Sequence, residues 1–145
     1  MTPDLPSVSE THHRVNYSET DQMGVVYHAN YLVWLDVARC EHLRRTGVSY
    51  ADLERRGLRL VVGELRVRYR RPARYDDQVR VRCWVRECAS RRITFGYAVE
   101  LAEPEALLLT AEIALMALGA NLRPARLPAD VLTSLPVSPD PIRLF

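Results

Sequence analysis

Residues 21 to 43, "DQMGVVYHANYLVWLDVARCEHL", turn from polar to apolar within a few positions. An acid, Asp21, opens the stretch and is followed by Gln22, Met23 and Gly24. Two valines, Tyr27 and His28 come next, and from Asn30 the apolar residues recur with helical spacing. Tyr31, Leu32, Val33, Trp34, Leu35, Val37, Ala38, Cys40 and Leu43 are interrupted by Asp36, Arg39, Glu41 and His42. The spacing predicts a long helix with Asn30 as N-cap, first turns buried all round and Gly47 as the stop. "SYADLERRG" (49–57) predicts a short second helix between a Ser49 cap and a Gly57 stop.

Outward from this helix the period changes to two. Leu65, Val67 and Tyr69 alternate with Arg66, Arg68 and Arg70. Val79, Val81, Cys83 and Val85 alternate with Arg80, Arg82, Trp84 and Arg86. Ile93, Phe95, Tyr97, Val99 and Leu101 alternate with Thr94, Gly96, Ala98 and Glu100. These are half-buried antiparallel strands. "LLLTAEIALMAL" (107–118) is a fourth run, apolar on both faces. Before the helix, "HHRVNYSE" (12–19) supplies a first strand, residues 20–29 a loop and residues 1–10 a loose leader. The proline-rich tail, 121–145, reads as loop with at most a short helix. The expected architecture is α+β, one long helix against a five-stranded antiparallel sheet, in a single domain over 1–145. One helix is about 10 Å wide, whereas five strands spaced about 4.8 Å apart make a sheet wider than that. Part of the apolar face and a sheet edge therefore await a second copy.

Composition narrows the function. The chain has 145 residues, enough for one core, with 48% hydrophobic and 26% charged residues. No apolar run approaches the roughly 20 residues of a membrane span. The N-terminus has neither a basic start nor an apolar core, so a secretory signal is not expected, and the cysteine usage makes a reducing cytoplasm the expected home. Cys40, Cys83 and Cys88 are odd in number and form no C-x-x-C, which argues against a disulfide scaffold or zinc ribbon. All twenty basic residues are arginine, but the net charge of +2 argues against a general nucleic-acid binder.

Chemistry points back to the opening stretch. A helix N-terminus offers unpaired amides and partial positive charge, which can stabilise a developing oxyanion. Asp21 stands seven residues before His28, across a glycine-containing loop that lets backbone approach a substrate. A carboxylate beside an oxyanion hole is what acyl transfer from a thioester requires. The plain alternatives are an aspartate capping a turn and a histidine packed at a helix start. His12, His13, His28 and His42 lack metal-ligand spacing, and no G-x-S-x-G, P-loop or G-x-G-x-x-G occurs.

"RVNYSETDQMGVVYHANYLVWLDVARCEHL" resembles the signature of the hotdog-fold acyl-CoA thioesterases of the 4-hydroxybenzoyl-CoA thioesterase family. The likeness is to the Tol–Pal-associated branch. It runs through Tyr17, Glu19-Thr20-Asp21, Gly24, Val25-Val26-Tyr27-His28 and Asn30-Tyr31, and continues in the turn "YRRPARYDD" (69–77). Gln22-Met23 departs from the small-residue pair usual after the aspartate. The resemblance implies a hotdog fold, a long helix wrapped by a five-stranded antiparallel sheet. It implies a homodimer with active sites at the interface, extended to a homotetramer, and hydrolysis of an acyl-CoA without metal or organic cofactor. Asp21 matches the catalytic carboxylate and the His28 backbone amide the oxyanion donor. The His28 ring and Tyr17 match accessory residues, with Gly24 and Tyr27 beside the substrate. For the phosphates of coenzyme A, Arg91 and Arg92 are candidates, as are Arg123 and Arg126. The rival readings are a non-catalytic acyl-CoA-binding or protein-interaction module, a hotdog hydratase, whose G-D-x-N-P-type context is missing, and a nucleic-acid binder.

Overall fold

The computed structural model describes residues 7–145. Residues 1–6 of the expected leader lie outside the described residues, and Val8–Glu10 belong to a strand instead. That strand, β1, runs Val8–Arg14, and each of its positions pairs with the strand beside it. The elements that follow are α1 (Asn30–Arg45), α2 (Tyr50–Arg55), β2 (Arg59–Tyr69), β3 (Gln78–Ala89), β4 (Arg92–Leu101), β5 (Ala106–Leu118) and α3 (Ala129–Ser134). The five strands form one sheet in the order β1-β3-β4-β5-β2, antiparallel throughout, with β1 and β2 at the edges.

α1 packs against β1 and β3 and carries Arg39 to the Tyr97 hydroxyl of β4 at 3.1 Å. The period-two positions of β3 and β4 (Val79, Val81, Cys83, Val85, Ile93, Phe95, Tyr97 and Val99) fill the layer beneath it and are buried. The helix stops as expected. Gly47 and Gly57 take left-handed φ values of 86° and 80°, and Ser49 accepts a hydrogen bond from Asp52 N to cap α2.

Three expectations need correction. Asn30 is not the N-cap: Ala29 occupies that position, and the Asn30 side chain donates to Glu19 O instead. The first turns of α1 are not buried all round, because Val33 and Val37, one turn apart, face outward. Leu65 and Tyr69 of β2 are also exposed, at 44% and 48%, because β2 is an edge strand.

The outer face of the sheet around β3 and β4 is covered by the chain itself. Trp84, on the polar side of the β3 alternation, is fully buried against Ala98 and Leu144. It lies flat over Gly96, its register partner on β4, where an added Cβ would stand 2.5 Å from the indole. Asp140 accepts from the indole Nε1 at 2.9 Å and from both Nε and a terminal nitrogen of Arg86. Thr110 donates to Leu144 O, and Ser138 N donates to Val85 O. The proline-rich tail is irregular, as its composition implies, yet ordered by what it covers. The other outer-face arginines of β3 are also paired, Arg80 with Glu100 and Glu105 and Arg82 with Glu100.

Candidate functional site

The connection between β1 and α1 doubles back as a tight hairpin. Thr20 pairs with Val26 as an antiparallel bridge, Asp21 N donates to Val25 O, and Gly24 N returns to Asp21 O. The Asp21 carboxylate closes the turn by accepting from Met23 N at 2.8 Å, an Asx-type bond. Its second oxygen has no protein donor among the described residues. Gly24 is required by its φ of 78° rather than by crowding, since an added Cβ would have nothing within 4 Å.

The returning arm leads into the helix. Tyr27 N donates to Glu19 O and Asn30 N to Tyr27 O. The amide of His28 donates to no acceptor among the described residues. Its carbonyl is held by the Tyr69 hydroxyl at 2.7 Å, from the end of β2. Val26 N donates to Ala73 O, and Ala73 N donates to the Tyr31 hydroxyl at 2.9 Å, so the turn after β2 clamps the helix start from the other side. Burial pushes the Tyr31 hydroxyl above its ordinary pKa. The Ala73 amide opposes that shift, and neighbouring Tyr69, Asp77 and Asp21 add to it. Tyr31 and Tyr69 meet edge to face at 5.7 Å. Beside them opens a cleft of about 220 Å³ lined by Val26, His28, Tyr31, Tyr69, Pro72 and the two arginines Arg70 and Arg71.

The hairpin thus brings Asp21 and His28 onto adjacent arms. The His28 ring is exposed and tilts against Tyr27 at 4.5 Å. Tyr17 is 77% exposed in a 3-10 turn, where it packs edge-on against Tyr75 rather than lining the cleft. Arg91 and Arg92 are not near this site within one chain. Arg92 pairs with Met116, which faces Val61, whereas Tyr69 at the site lies eight residues further along β2, about 27 Å away. Arg92 instead meets Glu87 at 3.5 Å. Among the described residues no group of three or more His, Cys, Asp or Glu is arranged to hold a metal ion.

Two residues of this region have partners that the sequence pattern does not reveal. Tyr69 reaches His28 across 41 positions, so no local signal reveals it. Glu19 stood inside the motif, but its partners identify its work. Its carboxylate accepts from Asn16 N at 2.8 Å, His13 Nε2 at 2.7 Å and Trp34 Nε1 at 2.6 Å. Burial opposes its ionisation, yet the Asn16 amide, His13 and Trp34 together hold its carboxyl below the usual range.

The thioesterase-like superfamily model matches residues 15–135, from the hairpin through α3. The chain belongs to that superfamily. It is 32% identical over 120 residues to the acyl-CoA thioester hydrolase YbgC of Escherichia coli, covering 82% of this chain and 89% of that one. Among solved structures it resembles TT1821 from Thermus thermophilus, at 39% identity and a TM-score of 0.81, over 88% of this chain and 96% of that one. It also resembles the DHNA-CoA thioesterase of Staphylococcus aureus, at 34% identity and a TM-score of 0.78, over 82% and 80% of the two chains. A 4-hydroxybenzoyl CoA thioesterase mutant complexed with 4-hydroxybenzoyl CoA shares the fold alone, at 19% identity, a TM-score of 0.82, and 90% and 100% coverage. The architecture is therefore the hotdog, and the protein is a member of the hotdog acyl-CoA thioesterases related to YbgC.

Proposed function

We propose that the protein hydrolyses an acyl-CoA to a free carboxylic acid and coenzyme A, with Asp21 as nucleophile or general base and the His28 amide as oxyanion donor. The observation that carries this reading is the hairpin, which sets a carboxylate oxygen and a backbone N–H, neither with a protein partner among the described residues, on adjacent arms. A thioester carbonyl lodged between them meets a charge that can attack or activate water and a donor for the oxygen that becomes negative. The cleft lined by Tyr31, Tyr69 and Pro72 is the place for the acyl group. Gly24 and Tyr27 flank the approach, while the His28 ring and Tyr17 play accessory parts.

The active unit is at least a homodimer and extends to a homotetramer. Val62, Leu65 and Tyr69 on the β2 edge are exposed, as are Val33 and Val37 on α1. A second copy pairing through β2 covers that edge. An antiparallel pairing, which two-fold symmetry imposes, runs the partner's β2 the opposite way. The partner's Arg91 and the partner's Arg92 then approach this chain's Asp21 and His28, so the separation within one chain becomes proximity between two. The guanidinium groups suit the phosphates of coenzyme A.

Asp21→Asn keeps the size of the side chain and removes its charge. The expected result is a kcat at least about 10²-fold lower, the low end for general-base catalysis, with little change in KM. Near-wild-type thiol release, with the mass confirmed to exclude deamidation, overturns the assignment and favours a binding module.

A further inference from the structure

Three donors converge on the Glu19 carboxylate, and the same residue's carbonyl accepts two more. Oε1 takes Asn16 N and His13 Nε2, while Oε2 takes Trp34 Nε1. The carbonyl takes Tyr27 N at 2.9 Å and Asn30 Nδ2 at 2.8 Å. One residue therefore grips β1 through His13, α1 through both Asn30 and Trp34, and the returning arm through Tyr27. Asp21 follows it by two positions, and His28 follows Tyr27 by one. An ordinary capping box accounts for the Asn16 bond. It does not account for an indole N–H arriving from the second turn of α1.

From this convergence we infer that Glu19 is the positioning residue of the site. It does not touch the thioester. It fixes the turn that carries Asp21 at the distance from the His28 amide that the reaction needs. This inference rests on the reading of Asp21 and the His28 amide given above. A glutamate is needed because two of the three donors cannot change sign. His13 can switch tautomer and accept, but the Asn16 amide and the Trp34 indole only donate. A glutamine offers one acceptor oxygen. Turned toward Asn16, its NH2 opposes the indole N–H; turned toward Trp34, it opposes the backbone N–H. Either way the Glu19 side chain, only 16% exposed, loses one anchor and faces donor with donor. The hairpin then shifts relative to α1, and misplacement of about 1 Å between reacting groups can lower a rate about 10²-fold.

The test is a double-mutant cycle of E19Q and W34F, with kcat and KM measured well below each variant's melting temperature and the folded fraction checked by circular dichroism. The expected result for E19Q is a kcat about 10-fold or more lower with KM within about threefold of wild type. In the W34F background the indole donor is gone, so the glutamine oxygen serves Asn16 alone and the same exchange lowers kcat much less. Wild-type kcat in folded E19Q, a loss that tracks only the folded fraction, or an equal loss in both backgrounds overturns the role. D21N serves as the reference. If D21N turns over at a near-wild-type rate, the reading of the site fails and Glu19 falls with it. If D21N loses about 10²-fold while E19Q keeps the wild-type kcat, only the role of Glu19 fails.

Discussion

Two irregular segments border the sheet, and they differ in what their ordering leaves free. Residues 15–29 are held by backbone hydrogen bonds and the Glu19 carboxylate, while Tyr17, Met23 and Tyr27 stay exposed. Residues 137–145 are held by what they bury: Leu144 on Trp84, with Asp140 bridging the indole and Arg86. Order imposed through polar bonds leaves side chains and one amide free for a ligand. The tail's burial and its polar bonds consume the groups they use. That is why the functional reading belongs to the first segment and the stability of the outer face to the second. The same contrast separates two acids: Asp21 spends one oxygen on its own turn, whereas Asp140 spends both on partners.

The comparison depends on a core that supports both segments, and acid should weaken that core first. His42 is buried, with Nδ1 bonded to Ser9 Oγ at 2.8 Å and Nε2 without a partner among the described residues. Burial, reinforced by Arg45, lowers its pKa to about 4. The unfolded chain, with an ordinary histidine near 6.5, binds the proton more readily between those values. Stability is therefore fully present above about pH 6.5 and is lost as pH falls toward 4, by about 3 kcal/mol from this group. Urea unfolding at pH 7 and pH 4.5 measures it. His42→Gln should flatten that part of the pH dependence; an unchanged slope assigns the acid sensitivity elsewhere.

A second test strikes one segment and spares the other. Gly96→Ala places a methyl 2.5 Å from the Trp84 indole, which must shift and release Asp140. Overpacking of this kind costs about 1–3 kcal/mol. The melting temperature should fall, while kcat per folded molecule stays at the wild-type value because the hairpin is untouched. A fall in kcat of the folded fraction shows that the outer face and the site are coupled.

Much of this contrast was legible in the sequence, and its gaps have physical causes. Period-two alternation located β2–β4, the continuous apolar run located β5, and helical spacing with the glycine stops located both early helices, because those signals are local. The polar stretch ahead of α1 marked a loop over 20–29, but its doubling back as a hairpin rests on the Thr20–Val26 pairing, which no local pattern announces. Trp84 looked like a polar-face residue because its cover, Leu144, lies sixty positions away. Leu65 and Tyr69 looked buried because alternation reports a strand's two faces and not whether anything lies over them. Tyr69 and Trp34 could not be tied to the site, since a hydroxyl or indole N–H carries no sequence mark of its partner. Arg91 and Arg92 were grouped with Asp21 without any measure of how far along the sheet they lie.

That last separation yields the third test. If the partner's arginines complete the site, replacing Arg91 and Arg92 together with alanine should raise KM for an acyl-CoA about 10-fold or more, since charge-assisted phosphate contacts contribute upward of about 1.5 kcal/mol. KM for an acyl-pantetheine, which lacks the nucleotide, should change much less. Equal effects on both substrates make these residues structural and place the coenzyme elsewhere.

The smallest effect is expected at His28, and it probes what the polar segment leaves free. The proposed oxyanion donor is the backbone amide, and any residue but proline supplies one. The position of that amide depends on bonds that do not involve the ring: Tyr69 holds the carbonyl, and Glu19 holds the arm through Tyr27 and Asn30. His28→Ala therefore keeps the donor and its placement. The ring itself is exposed and rests on Tyr27, so its removal alters one wall of the cleft and any proton delivery to the leaving thiolate. A thiolate leaves readily without protonation at neutral pH, since an ordinary thiol has a pKa of about 8.5. The variant should turn over only a few-fold more slowly, far short of the roughly 10²-fold loss expected for Asp21→Asn. A loss as large as that from Asp21→Asn would make the imidazole the principal acid or base, and the hairpin's free amide would no longer be its main contribution to the chemistry.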